Sequence, residues 1–161
     1  QCELTKSQGN ESAGSVEDFT FMCKSAVLPT SVIDPATVTY MGRALNIPGN
    51  RAAAQLITGV YNDEGMEIRN HIESWMEEIN SQKSNIRKSG NEAISSYTGT
   101  LKVSQLSKSG GTITKSYEFI HAWPSTIGEV ALAWDTNDIE MFDITWDFSY
   151  WRSNQSGAGF S

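Results

Sequence analysis

The feature that most constrains this chain is the stretch 139–151, IEMFDITWDFSYW. Phe142, Ile144, Trp146, Phe148 and Tyr150 fall on one side of an extended backbone. Asp143, Thr145, Asp147 and Ser149 fall on the other. Strict alternation is the pattern of a strand with one buried face and one wet face. No Pro or Gly interrupts it, so it is expected to run unbroken over 142–150, about 30 Å at roughly 3.3 Å per residue. Val130, Leu132 and Trp134 alternate with Ala131 and Ala133 just upstream, and Asp135-Thr136-Asn137-Asp138 reads as a polar turn. The pair predicts an aromatic-rich hairpin over 129–151. A sheet with so many large side chains on one face needs a second layer to cover it.

Other strands follow from the same period. Phe19, Phe21 and Cys23 predict a strand that ends at Leu28-Pro29. Residues 54–61 predict another. Leu101, Val103 and Gln105 alternate with Lys102, Ser104 and Leu106, and Ser107 to Gly111 reads as a turn. Tyr117, Phe119, His121 and Trp123 share a face until Pro124, which is expected to stop that strand. Gln1-Cys2-Glu3-Leu4 reads like the middle of a strand, so residues upstream are expected.

One helix stands out. Ile68, Ile72, Trp75, Met76 and Ile79 form a single apolar stripe over 64–80. Asn62-Asp63-Glu64 offers an N-cap and acids for the first turn, and Arg69 and Glu73 are spaced to pair. Residues 5–17 and 81–96 read as polar and irregular. The predicted architecture is mainly β: two packed antiparallel sheets, a sandwich or barrel, with one amphipathic α-helix. Residues 1–152 form one domain and 153–161 a flexible tail.

Charge is unevenly placed. The formal net charge is −7. Residues 117–151 hold no Lys or Arg and seven acids, whereas 81–116 hold six bases and one acid, Glu92. Such asymmetry suits a basic region of one copy meeting an acidic region of the next; ordinary solvated faces are the plainer reading. The acidic excess argues against sequence-reading nucleic-acid binding. No apolar run approaches the roughly 20 residues of a membrane span.

Chemistry is sparse. His71 and His121 have no Cys or acid at metal-ligand spacing, so no metal site is expected. His121, in an aromatic row, reads as a structural histidine. No phosphate loop or nucleophile elbow is present. Asp143 and Asp147 or Glu140 resemble a glycosidase pair only in type, because carboxylates on a strand's polar face are ordinarily solvated. The five Trp suggest carbohydrate stacking, but Trp75, Trp134 and Trp146 fall on apolar stripes and are expected in the core. Cys2 and Cys23 could form one disulfide, although Cys23, in a strand-like run, reads most simply as a buried thiol. No catalytic residue and no cofactor is expected.

Several blocks together resemble the major tail tube protein family of contractile-tailed, myovirus-type bacteriophages: FTFMCKSAVLP at 19–29, YNDEGMEIRNHIESWMEEIN at 61–80, and above all HAWPSTIGEVALAWDTNDIEMFDITWDFSYW at 121–151. The resemblance implies a ring-forming tail tube fold, and a structural virion protein rather than an enzyme. It implies hexameric rings stacked into a hollow tube, with tail sheath protein outside, baseplate and tail terminator at the ends, and tape-measure protein and DNA passing through the lumen. It places the chain in the virion tail, assembled in the host cytoplasm and away from membranes. Tailocin and type VI secretion tubes share the architecture, so a phage-derived contractile injection device remains an alternative, as does a carbohydrate-binding β-sandwich module.

Two sets of contact residues follow as expectations. Asp143, Thr145, Asp147 and Ser149 are candidates for the lumen face, where carboxylates would repel DNA phosphates. Residues 34–50 are too apolar for a finished surface loop and too rich in Pro and Gly for a core element. They are expected to form a long excursion or a loose hairpin about Gly42-Arg43, poorly ordered in a free subunit, that bears on the adjoining ring through Tyr40, Met41, Arg43, Leu45 and Ile47.

Overall fold

In the computed structural model, residues 2–6, 19–90, 92–108, 111–130 and 139–155 are described. The strands are β1 (Cys2–Lys6), β2 (Cys23–Val27), β3 (Ser31–Tyr40), β4 (Arg43–Ala53), β5 (Leu56–Tyr61), β6 (Gly99–Leu106), β7 (Ile113–Ile127), β8 (Met141–Asp147) and β9 (Tyr150–Gln155). The helices are α1 (Glu67–Ile79) and a single turn, α2 (Ile94–Tyr97). One antiparallel sheet holds β1, β6, the first half of β7, and β9. The other holds the second half of β7, then β8, β5 and β2. Strands β3 and β4 pair only with each other.

Alternation places the core. Along β8, Phe142, Ile144 and Trp146 are buried while Met141 and Asp143 are exposed. Trp146 lies between Phe19, edge-on at 6.0 Å, and Trp75, tilted at 5.8 Å. Its indole N–H donates to Thr58 Oγ1 at 2.8 Å. The Trp75 indole donates to the Tyr97 carbonyl at 2.7 Å, so both large rings are buried with their polar atoms satisfied. The stripe on α1 turns inward as its spacing dictates: Ile68, Ile72 and Trp75 are buried, and Met76 and Ile79 are partly buried against the same core.

The strand expected over 142–150 is divided. β8 ends at Asp147, and Ser149 N–H donates to the Ile120 carbonyl at 3.1 Å. After this bend the chain leaves one sheet and joins the other as β9. Phe148 stays half buried against Phe119 at 5.0 Å, but Tyr150, expected inside, is exposed. β9 then runs on to Gln155, so the tail expected from 153 begins in a strand that pairs with β7.

β7 makes the matching move. Thr100 faces Ile120 and Gly99 faces Ala122, leaving His121 as an extra residue with φ +53°. A bulge of this kind bends a strand and shifts its alternation by one. Ala122 and Pro124 therefore point inward and Trp123 is only half buried, reversing the face expected for Trp123. Pro124 does not stop the strand. It pairs with Trp146 beside a second register shift, on a strand that borders the sheet, where a missing amide is tolerated.

Three further expectations are corrected. Residues 19–22 form a helical turn, and the strand starts only at Cys23. It buries Phe19 but leaves Phe21 exposed, because a turn of helix separates positions that a strand would align. Helix α1 begins at Glu67, not at 64: Asp63 accepts from the Met66 amide in a tight turn, and Met66 caps the helix with φ +51° and no side-chain bond. The polar 81–96 region includes the α2 turn. The proposed partner strand at 131–134 and the turn at 135–138 lie outside the described residues, as do 7–18; the antiparallel neighbours observed for β8 are β5 and β7.

Trp75→Ala should cost about 3–5 kcal/mol in equilibrium chemical unfolding, the range for truncating a buried Trp. A loss under about 0.5 kcal/mol would mean that α1 does not anchor the sheets. His121→Gly should stay within about 1 kcal/mol of wild type. His121→Val should cost about 2 kcal/mol or more, because a β-branched residue is strained at positive φ. Equal stability of the two variants would remove the bulge argument.

Candidate subunit-contact surfaces

The most exposed apolar structure is the hairpin β3–β4. Its turn residues, Met41 at φ +48° and Gly42 at φ +74°, give the doubly left-handed tight turn that suits strand twist. The ladder pairs Tyr40 with Arg43, Val38 with Leu45, and Ala36 with Ile47 on one face. Thr37 pairs with Asn46 and Thr39 with Ala44 on the other, where Thr37 Oγ1 donates to Asn46 Oδ1 at 3.0 Å. The hairpin is therefore two-faced, apolar on one side and polar on the other. Every residue of β3 is exposed; Tyr40 is 68% exposed, Met41 87% and Leu45 58%. Of the two readings, excursion or loose hairpin, the structure has the hairpin, as a regular ladder with one fault. Ile33 faces Arg51 while Pro35 faces Pro48, and a Cβ on Gly49 would lie 2.6 Å from the Asp34 carbonyl oxygen. Pro and Gly serve that bulge rather than ending the strands.

Of the expected arm residues, Tyr40, Arg43, Leu45 and Ile47 share the apolar face, and Met41 sits at the tip. Val38 belongs with them. Its place was legible once Val38 and Leu45 are read as a cross-strand pair about a Met41-Gly42 turn.

The polar face of β8 is partly as expected. Asp143 is exposed, and Thr145 and Asp147 are half buried. Gln55 Nε2 donates to both Asp147 oxygens, at 3.0 and 3.1 Å. Gly59, opposite Asp143, leaves room between Ser25 and Asp143: a Cβ there would sit 2.6 Å from Ser25 Oγ and 3.2 Å from Asp143 Oδ1. Ser149 leaves this row because it lies in the bend after β8. The face also carries exposed Val27 and Ile57, paired across β2 and β5, so it is mixed rather than uniformly acidic.

The other sheet carries a charge row that the sequence reading missed. Glu3, Lys102, Glu118 and Arg152 stand opposite one another across β1, β6, β7 and β9. Lys102 Nζ is 3.7 Å from Glu3, and Arg152 Nε donates to Glu118 at 2.6 Å. Lys88 pairs with Glu78 at 2.8 Å, and Arg87 lies over the Tyr97 ring at 4.2 Å. Much of the basic 81–116 region is thus answered within its own chain. Only strand register could reveal the row, since its members come from four separate stretches.

Nothing among the described residues converges as a catalytic centre. Among the described residues, no group of three or more His, Cys, Asp or Glu is placed to hold a metal. His121 Nδ1 lies 3.1 Å from Thr98 Oγ1. The Thr98 hydroxyl also reaches the Ile94 carbonyl at 2.7 Å, so the hydrogen bond to Thr98 ties the His121 bulge to the end of α2. The groove between α1 and β7, lined by Met76, Ile79, Trp123 and Pro124, is an open surface feature of about 380 Å³. Trp75 and Trp146 are interior and offer no stacking platform.

Among the described residues, then, a two-sheet body without a converging polar site carries an uncovered apolar hairpin. Solved tube components of contractile injection systems share the fold. The anti-feeding prophage tube-terminating cap matches with TM-score 0.65 at 15% identity, over 96% of this chain and 87% of that one. The extended sheath–tube complex of the extracellular injection system PVC matches with TM-score 0.61 at 15% identity, over 83% and 80%. The phage tail tube protein family matches residues 2–154. The tail tube proteins gp19 of Enterobacteria phages T4 and T6 are each 32% identical over 137 residues, 84% of this chain and 82% of the relative. The chain belongs to the phage tail tube protein family. It is a structural tail tube protein, not an enzyme, and its place is the virion tail.

Lys102→Glu would set a carboxylate between Glu3 and Glu118. It should lower stability by about 1 kcal/mol at low salt, and the loss should shrink at about 1 M salt, where exposed charges are screened. Equal losses at both ionic strengths in thermal unfolding would show that the row is not electrostatic.

Proposed function

We propose that this subunit closes into hexameric rings that stack into the inner tail tube, and that β3–β4 is the arm joining one ring to the next. The observation that carries the reading is the hairpin's uncovered apolar face. A two-stranded hairpin is marginal alone in water, and an exposed face of Val38, Tyr40, Leu45 and Ile47 is the form of a surface awaiting a partner. In a stack of identical subunits the partner is a neighbouring copy. Tyr40, Met41, Leu45 and Ile47 supply apolar contact there, and Arg43 reaches a carboxylate on that copy.

The row of Asp143, Thr145 and Asp147 is the proposed lumen lining. Fixed carboxylates repel phosphates, which favours sliding of a genome over sticking. Sheath lies outside this tube, baseplate and terminator close its ends, and tape-measure protein and then DNA pass along it. Relatives of the same fold come from a sheath–tube complex, a baseplate and a tube cap, which agrees with this arrangement.

Replacing residues 36–47 with a short Gly-Ser turn should leave the unfolding midpoint of the subunit nearly unchanged, since loop length costs little and these side chains meet no core. The same variant should remain unassembled by negative-stain microscopy and sedimentation while wild type forms tubes. Normal tubes from the variant would sink the assignment of the arm, and a shortened chain that cannot fold would show that the hairpin belongs to the body.

A further inference from the structure

The groove between α1 and β7 has an apolar wall and a negative rim. Met76 and Ile79 reach it from the flank of the α1 stripe, and the His121 bulge turns Trp123 out of the core beside them. All three are half buried. An indole left partly uncovered among aliphatic side chains is the composition found at the centre of protein contacts. The rim is set by the end of the helix. The last turn of α1 holds Glu77 and Glu78 and no base, so acids stand where the helix dipole is already negative. Lys88 answers Glu78. Glu77, which lines the groove, is exposed. Its carboxylate accepts from the Gln82 amide at 3.0 Å, which orients the group without neutralising it. The hairpin of the same chain does not fill this groove: β3 and β4 pair only with each other, and Tyr40 and Met41 are exposed.

We propose that this groove is the seat for the hairpin tip of a second copy of the chain. Tyr40 and Met41 lie there against Met76, Ile79 and Trp123, and Arg43 reaches Glu77 at the C-terminal end of α1. The two surfaces match in kind and in arrangement. Arg43 is the only base within 34–50, and it stands opposite Tyr40 beside the Met41-Gly42 turn, so the arm brings apolar groups and one cation to a single point. The groove presents an apolar wall and one unneutralised carboxylate at a single point. A guanidinium there meets both the carboxylate and the negative end of the helix. The volume of about 380 Å³ suits the side chains of a tight turn rather than a whole strand or helix. Seat and arm are different surfaces of one chain, so the contact is head to tail. Each copy that receives an arm still offers its own, which gives an open stack rather than a closed pair. The inference rests on the reading of β3–β4 as a joining arm and adds the surface that receives it.

Charge exchange in the full chain tests the pairing. Arg43 and Glu77 are both exposed, so Arg43→Glu and Glu77→Arg should each keep the wild-type fold by circular dichroism. Each should raise the protein concentration at which tubes form by about tenfold or more, because like charges then meet across the contact. The double variant, with the charges exchanged, should assemble near the wild-type concentration. A photoreactive benzoylphenylalanine in place of Met41, copolymerised with isotope-labelled wild type, should cross-link to labelled peptides containing 76–82 or 123–125 by mass spectrometry. Normal assembly of both single variants, a double variant no better than the single ones, or cross-links to a different surface of the labelled copy would overturn the seat and leave the arm in place. Normal tubes from the chain with the shortened hairpin would instead remove the arm, and the seat with it.

Discussion

The indole of Trp146 has one polar atom and lies fully inside the protein. The Thr58 hydroxyl meets it from the neighbouring strand, so the largest side chain of β8 is buried without an unpaired donor. An unmet buried donor would cost about 1–3 kcal/mol. Around this ring the elements gather: Phe19 from the helical turn, Trp75 from α1, and Leu56 opposite on β5. Helix and sheet are therefore joined through aromatic contact rather than backbone bonding. The helix has only one anchored stripe, and its own ion pair, Arg69 with Glu73, is partly exposed and weak by comparison.

Two irregular residues turn a set of strands into a closed sandwich. His121 adds one residue to β7 so that the strand serves both sheets, and Ser149 marks where β8 becomes β9. The two sites touch: the Ser149 amide donates to Ile120, next to the bulge. Thr98 holds the His121 ring from the other side. One corner thus directs three strands, and it does so at a residue whose positive φ is strained for anything but Gly, Asn or a similar side chain.

Body and arm divide the work of the subunit. The body buries its largest side chains among themselves and carries a charge row on one sheet, with exposed apolar residues such as Phe21, Val27 and Tyr150 scattered over its surface. The arm buries nothing of its own, and its order within one chain comes from backbone pairing and a single side-chain bond. A subunit that completed its own packing would have no drive to polymerise. One that left its core unfinished would aggregate before it assembled.

The sequence by itself determined the local patterns. Alternation at Phe142, Ile144 and Trp146 and the stripe of α1 stood as read, because period and side-chain size decide which face of a strand or helix is apolar. The apolar, breaker-rich character of 34–50 set the stretch apart from the core, and the structure makes it the exposed hairpin β3–β4. Tertiary structure alone decided where alternation was allowed to slip. His121 looks like any member of its aromatic row, and only the facing residues Gly99 and Thr100 make it a bulge. Tyr150 continues the pattern of β8 in sequence, but the chain has changed sheets by then. The Glu3–Lys102–Glu118–Arg152 row depends on strand order, which joins residues far apart in the chain. Spacing along one segment reports the faces of that segment; which segment lies beside it is settled by how all of them share one core.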